Sequence, residues 1–156
     1  MNRNPANRMN ASLKWRHPKP FIENHTVTED EIDFLDHVNN KVYLNWMEHI
    51  SWQHSLAVGI DESVQRQVGK IMVVRQHELN YRAACHLSDE LLIGTWVGEQ
   101  IGCCQRRRYY QVFRLSDGKE VFFGHTQWAC MNLKTHQACK IPPEFITPYE
   151  TFHQTS

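Results

Sequence analysis

Residues 31–48, EIDFLDHVNNKVYLNWME, join a carboxylate-bearing turn to the start of a helix. Tyr43, Trp46, Met47, Ile50, His54 and Ala57 recur at three- and four-residue steps, which puts one mostly apolar stripe on a single helical face. Asn39 and Asn40 stand just before it, where a short side-chain oxygen can cap exposed backbone N–H groups. Gly59 supplies a stop. One helix with one apolar face needs a second layer to cover that face.

The flanking sequence supplies that layer. Upstream, residues 21–33 hold β-branched Ile22, Thr26, Val27 and Thr28 and read as a strand. Downstream, strands are expected over residues 70–82, 89–100, 103–116 and 119–132, with no return of helical pattern. Asp117 and Gly118 lie between the last two and form a hairpin signal. Cys104, Arg106, Arg108, Tyr110, Val112 and Arg114 alternate faces with the residues between them, so one long antiparallel sheet follows. The tail HQACKIPPEFITPYE carries three prolines and should leave the sheet and run across the surface. The expected class is α+β, an antiparallel sheet wrapped around one long central helix. Its edges would be unpaired in a single copy, so a homodimer is the minimum assembly expected.

Length and composition agree with one domain. The chain has 156 residues, 41% hydrophobic and 22% charged, which suits a single globular core and excludes a disordered chain. Residues 1–20, polar and proline-bearing, read as a flexible arm, and residues 21–150 as the domain. Seventeen basic residues balance seventeen acidic ones, so no global field favours nucleic acid or an anionic membrane. The opening residues have no apolar core for a signal peptide, and no run approaches the roughly 20 apolar residues that span a bilayer. Five cysteines, an odd number with no C-x-x-C spacing, point to a reducing, cytoplasmic setting.

The chemistry concentrates where the turn meets the helix. A helix N-terminus offers free N–H groups and an effective charge of about +0.5 to a developing oxyanion, while Asp33 or Asp36 could direct a nucleophile to the same carbon. That combination suits acyl transfer. A departing thiol with a pKa of about 8.5, by analogy with cysteine, needs little help from a general acid. The same residues also make ordinary turns and caps, and local chemistry alone does not separate the two uses.

DFLDHVNNKVYLNWME closely resembles the signature D-x-x-G-H-V-N-N-x-x-Y of the 4-hydroxybenzoyl-CoA thioesterase-like family, whose members adopt the hot-dog fold and hydrolyse acyl-CoA thioesters. HELNYRAACHLSDELLIGTWV resembles its second and third strands, SDGKEVFFGHTQWACMNLKT its last hairpin, and IPPEF its closing segment. The resemblance implies that Asp33 is the nucleophile or general base, and that the backbone N–H at Asn40 polarises the thioester carbonyl. By the same resemblance, His37 and Asn39 complete the motif and are expected to set the turn. Asp36 departs from the pattern by standing at the usual glycine position, where it could alter the turn or add charge beside Asp33.

Other residues have separate claims. Glu48 is a reserve base, since another branch of hot-dog enzymes places a carboxylate on the helix. Arg106 and Arg108 share one strand face and could meet CoA phosphates. Neither a metal nor a redox cofactor is implied: His49 and His54 are five apart, which is not paired-ligand spacing. The first reading is therefore an acyl-CoA thioesterase working as a homodimer or homotetramer. The alternatives are a hot-dog acyl-CoA hydratase or dehydratase, whose usual D-x-N-x-x-H pattern Asp33 and His37 do not match, and a non-catalytic acyl-CoA-binding module.

Overall fold

A computed structural model describes Asn10 and residues 12–154. Five strands, β1 (Phe21–Thr26), β2 (Lys70–Tyr81), β3 (Glu90–Ile101), β4 (Gln105–Arg114) and β5 (Lys119–Asn132), form one sheet in the order β1-β3-β4-β5-β2. Every neighbouring pair is antiparallel. The long helix α1 (Asn40–Ala57) lies against one face of this sheet, giving the α+β arrangement expected of the hot-dog fold. Val42, Tyr43, Trp46, Met47 and Ile50 bury the helix stripe against Leu91, Ile93, Tyr110, Val112 and Phe122. Ala57, expected on that stripe, is exposed, and Ser51 and Ser55 are buried in addition.

Three expectations are corrected. Residues 21–33 are not one strand: β1 ends at Thr26 and a 3-10 turn, Glu29–Glu31, follows, because the Thr28 N–H donates to the Glu31 carboxylate and reverses the chain. Helix does return, as α2 (Glu62–Val68), capped by Asp61 accepting from the Val64 N–H and ended by Gly69 at φ +77°. Its weak stripe is set by packing of Val68 beside Ile60 and Ile141. The tail does not lie loosely over the surface. Ile141 and Phe145 are buried in a second cluster with Ile60 and Cys130, and a short helix α3 (Thr147–Thr151) ends the fold.

Of the expected arm, residues 1–9 and 11 lie outside the described residues, while the segment just before β1 is packed on the sheet face opposite α1. Trp15 meets Phe113 edge-on at 4.8 Å, His17 stacks on Trp96, and the Arg16 guanidinium sits 3.8 Å from the Phe123 ring centre. These side chains cover apolar surface on the sheet's far side, which explains why Gln111 and Phe113 are buried although they face away from α1. β1 and β2 are the edge strands, and the outer side of each has no strand partner among the described residues.

Candidate active site

The turn between β1 and α1 is built by one acid. Glu31, on the side of the motif that sequence reasoning passed over, accepts from the Thr28 N–H at 2.9 Å, pairs with His25 at 2.8 Å and accepts from the Trp46 indole at 2.7 Å. Burial disfavours its charge, but these hydrogen bonds outweigh it and hold Glu31 below the usual carboxylate range. The signal was present in the sequence as T-x-x-E over Thr28 and Glu31, a capping box.

From Asp33 the chain turns sharply. The Asp33 N–H donates to the His37 carbonyl at 2.8 Å, and the bridge Ile32–Val38 closes the base of the loop. Asp33 Oδ1 accepts from the Leu35 N–H at 2.8 Å and the His37 N–H at 3.4 Å. Oδ2 takes part in no hydrogen bond recorded among the described residues. Asp36 sits in the left-handed region at φ +59°, so the aspartate meets the backbone demand that a glycine would otherwise meet. His37 is half-buried with its ring edge-on to His86 at 5.1 Å.

Asn39 caps α1, its side chain accepting from the Lys41 N–H at 3.1 Å, and its carbonyl accepts from the Val42 N–H at 2.9 Å. The N–H of Asn40, first residue of the helix, has no recorded acceptor among the described residues, while its carbonyl accepts from the Tyr81 hydroxyl at 3.0 Å. Asp33, His37, Asn39 and Asn40 thus gather at one helix end.

Glu48 does not join them. It lies about 12 Å farther along α1 by helical rise, where it lines a cavity of ≈ 490 Å³ with Ser51 and Ser55. Asn40, Leu44, Glu48, Ser51 and Ser55 follow one another at four- and three-residue steps, so a single helix face runs from the Asp33 turn to this cavity. Arg106 and Arg108 share a strand face, as alternation requires, but that face looks inward: both line the cavity, and Arg108 is buried against His54 and Thr95. His54 is driven down to about 3 by burial and by the Arg108 charge, and so stays neutral. His49 is on the surface, 3.2 Å from Glu23. No helix among the described residues is long and apolar enough to cross a membrane.

Residues 27–147 match the family model described as the thioesterase-like superfamily. No curated protein matches the chain by sequence. Solved structures resemble it in fold. A 1,4-dihydroxy-2-naphthoyl-CoA thioesterase from Synechocystis, Slr0204, is 14% identical with a TM-score of 0.76, over 85% of this chain and 96% of that one. The protein SAV2348 from Staphylococcus aureus, solved in complex with CoA, is 15% identical with a TM-score of 0.77, over 88% of each. A DHNA-CoA thioesterase from Staphylococcus aureus is 19% identical with a TM-score of 0.71, over 84% of this chain and 89% of that one.

Proposed function

The chain belongs to the thioesterase-like superfamily, and on that premise we propose that it is an acyl-CoA thioesterase, converting an acyl-CoA and water to a free acid and CoA. The observation that carries the reading is the uncommitted Oδ2 of Asp33 beside a helix that opens on the uncommitted N–H of Asn40. Asp33 Oδ1 holds the loop and Oδ2 does the chemistry. Either Oδ2 takes a proton from water as the water oxygen attacks the thioester carbon, or Oδ2 attacks that carbon itself and water opens the resulting anhydride. In both routes the carbonyl electron pair moves onto oxygen facing the Asn40 N–H, and collapse expels the CoA thiolate, which then takes up a proton.

His37 and Asn39 position these groups through the backbone and the cap. The acyl chain follows the α1 face from Asn40 past Leu44 toward the cavity. Phe34 and Leu35, 93% and 58% exposed at the tip of the Asp33 turn, and the free edge of β2 favour a second copy closing over the site as a homodimer. The proposed domain is residues 21–150 together with the segments packed on it just before β1 and after α3, and the odd number of cysteines suits a reducing, cytoplasmic compartment.

Glu48 supports a second reading, in which it is the base, because its side chain lines the cavity. Release of free thiol from acyl-CoAs tests both. Asp33→Asn should lower kcat by at least about 100-fold, the lower range for a positioned base, with an unchanged melting temperature, and Glu48→Gln should change it less than about fivefold. Full activity of a folded Asp33→Asn protein rejects the assignment, and loss on Glu48→Gln alone transfers the role. Hydration of an enoyl-CoA without thiol release would make the protein a hydratase, and binding with neither reaction a non-catalytic module.

A further inference from the structure

The inward face of β4 carries charge that hydrolysis at Asp33 does not use. Arg108 is only 6% exposed, and its recorded hydrogen bonds run from Nη1 to two neutral acceptors, His54 Nδ1 at 2.8 Å and Thr95 Oγ1 at 3.2 Å. Arg106, two residues away on the same face, donates from Nε to the Gly98 carbonyl at 3.0 Å, and its buried Nη1 has no acceptor. Trp128, the cross-strand partner of Arg106, also has a buried indole N–H without an acceptor. All three side chains line the ≈ 490 Å³ cavity.

Among the described residues neither guanidinium has a carboxylate within 4.0 Å. Of the acids on the same cavity, Glu62 pairs with Arg66 at 2.7 Å, and Glu48, exposed on α1, forms no ion pair with either guanidinium. Glu150 acts on Arg106 through space without forming an ion pair. Arg66 and Arg107 also line the recess but are paired, with Glu62 and Glu99. Arg108 meets the Tyr149 ring at 5.2 Å, yet it and Arg106 have no carboxylate partner, and beside Ile60, Met72, Val97, Ile141 and Phe145 their excess of donors is left unsatisfied by a neutral ligand.

We infer that this cavity receives the terminal carboxylate of an ω-carboxyacyl chain, so that the preferred substrate is the CoA monothioester of a dicarboxylic acid. The inference rests on the thioesterase reading for the thioester end and adds the far end. Arg108 and Arg106 hold the carboxylate, and the apolar wall holds the methylenes. A plain fatty acyl chain would bring a methyl group to the guanidiniums and leave both without a carboxylate contact. Asn40 and Ser51 are separated by about 16 Å along α1 at 1.5 Å per residue, so the fit is to a medium-length chain rather than a short diacid.

The test compares thiol release from dodecanoyl-CoA and from the CoA monothioester of dodecanedioic acid, with calorimetric titration of free dodecanedioic acid and of CoA. The dicarboxylic substrate should have a kcat/KM higher by about tenfold or more, carried mainly by KM. Arg108→Met and Arg106→Met should bring the two substrates to parity, while Arg108→Lys should keep part of the preference. Arg108→Met should melt within a few degrees of the parent protein, because the loss of its bonds to His54 and Thr95 and of its contact with the Tyr149 ring is offset by removal of a buried charge that has no carboxylate partner. Should Arg108→Met fail to fold, Arg106→Met and Arg108→Lys decide. Equal rates for the two substrates with no binding of dodecanedioic acid would overturn the inference. Loss of CoA affinity in the arginine variants with the substrate ratio unchanged would also overturn it, assigning the cations to the coenzyme. Arginine-dependent binding of dodecanedioic acid without any thiol release would uphold the carboxylate site and sink the thioesterase reading.

Discussion

The indole Nε1 of Trp46 donates a 2.7 Å hydrogen bond to Oε2 of Glu31, tying the second turn of α1 to the turn that precedes Asp33. A helix and a loop that would otherwise meet only through the chain are locked by one half-buried carboxylate, which His25 and the Thr28 N–H also engage. Glu31→Gln keeps the size and loses the charge-assisted bonds. It should cost about 1–3 kcal/mol in denaturant unfolding and lower kcat by loosening the Asp33 loop. Unchanged stability with normal turnover would show that the lock is dispensable.

The same carboxylate predicts an acid limb. Glu31 is held below its ordinary value of 4.5 in the folded protein, so the unfolded chain binds the proton more readily. Its contribution is complete above about pH 4.5 and disappears as pH falls through the lower folded value. Melting temperature against pH should therefore fall less steeply below that point in Glu31→Gln than in the parent.

His54 gives a second and separate pH effect. Its folded pKa is lowered from 6.5 to about 3, so between those values the unfolded state takes up a proton that the folded state refuses. Stability should decline as pH drops from 6.5 toward 3. His54→Gln, which can still accept from Arg108, should flatten that decline. A slope identical to the parent's would place the acid sensitivity elsewhere.

Asp36 at φ +59° tests the departure from the glycine of the motif. Asp36→Gly should leave stability within about 1 kcal/mol, since relief of the left-handed conformation is offset by a more flexible unfolded chain. Asp36→Val should destabilise by about 1–2 kcal/mol or more, because a β-branched residue is an outlier there. Equal unfolding midpoints for the two variants would mean that the turn has rearranged.

The docked N-terminal segment makes Gly94 informative. A Cβ at that position would lie 2.3 Å from the Trp15 ring, so Gly94→Ala should push the indole off the sheet. Trp15 fluorescence should shift toward that of a solvated indole, and stability should fall by about 1–3 kcal/mol. An unaltered spectrum would show that the segment does not pack as described.

Local chemistry decided much of this protein. The three- and four-residue spacing from Tyr43 to His54, the Asn39 cap, four strands with ends close to those observed, and the turn at Gly118 (φ +67°) were all legible, because capping, amphipathic spacing and turn geometry depend on neighbours in the chain. The same stretch carried the Asp33, His37, Asn39 and Asn40 constellation, whose members reach each other through a few backbone hydrogen bonds.

Tertiary structure decided the rest. Whether Arg106 and Arg108 face solvent or the core depends on which sheet face α1 covers, and alternation alone fixes only that they share a side. Residues before β1 looked free because their anchors, Phe113, Trp96 and Phe123, lie far downstream. The prolines around Ile141 and Phe145 point to the surface, but the partners that bury these two residues, Ile60 and Cys130, meet them only after folding. Spacing within a segment is set by bond geometry, whereas burial is set by which distant surfaces the folded chain brings together.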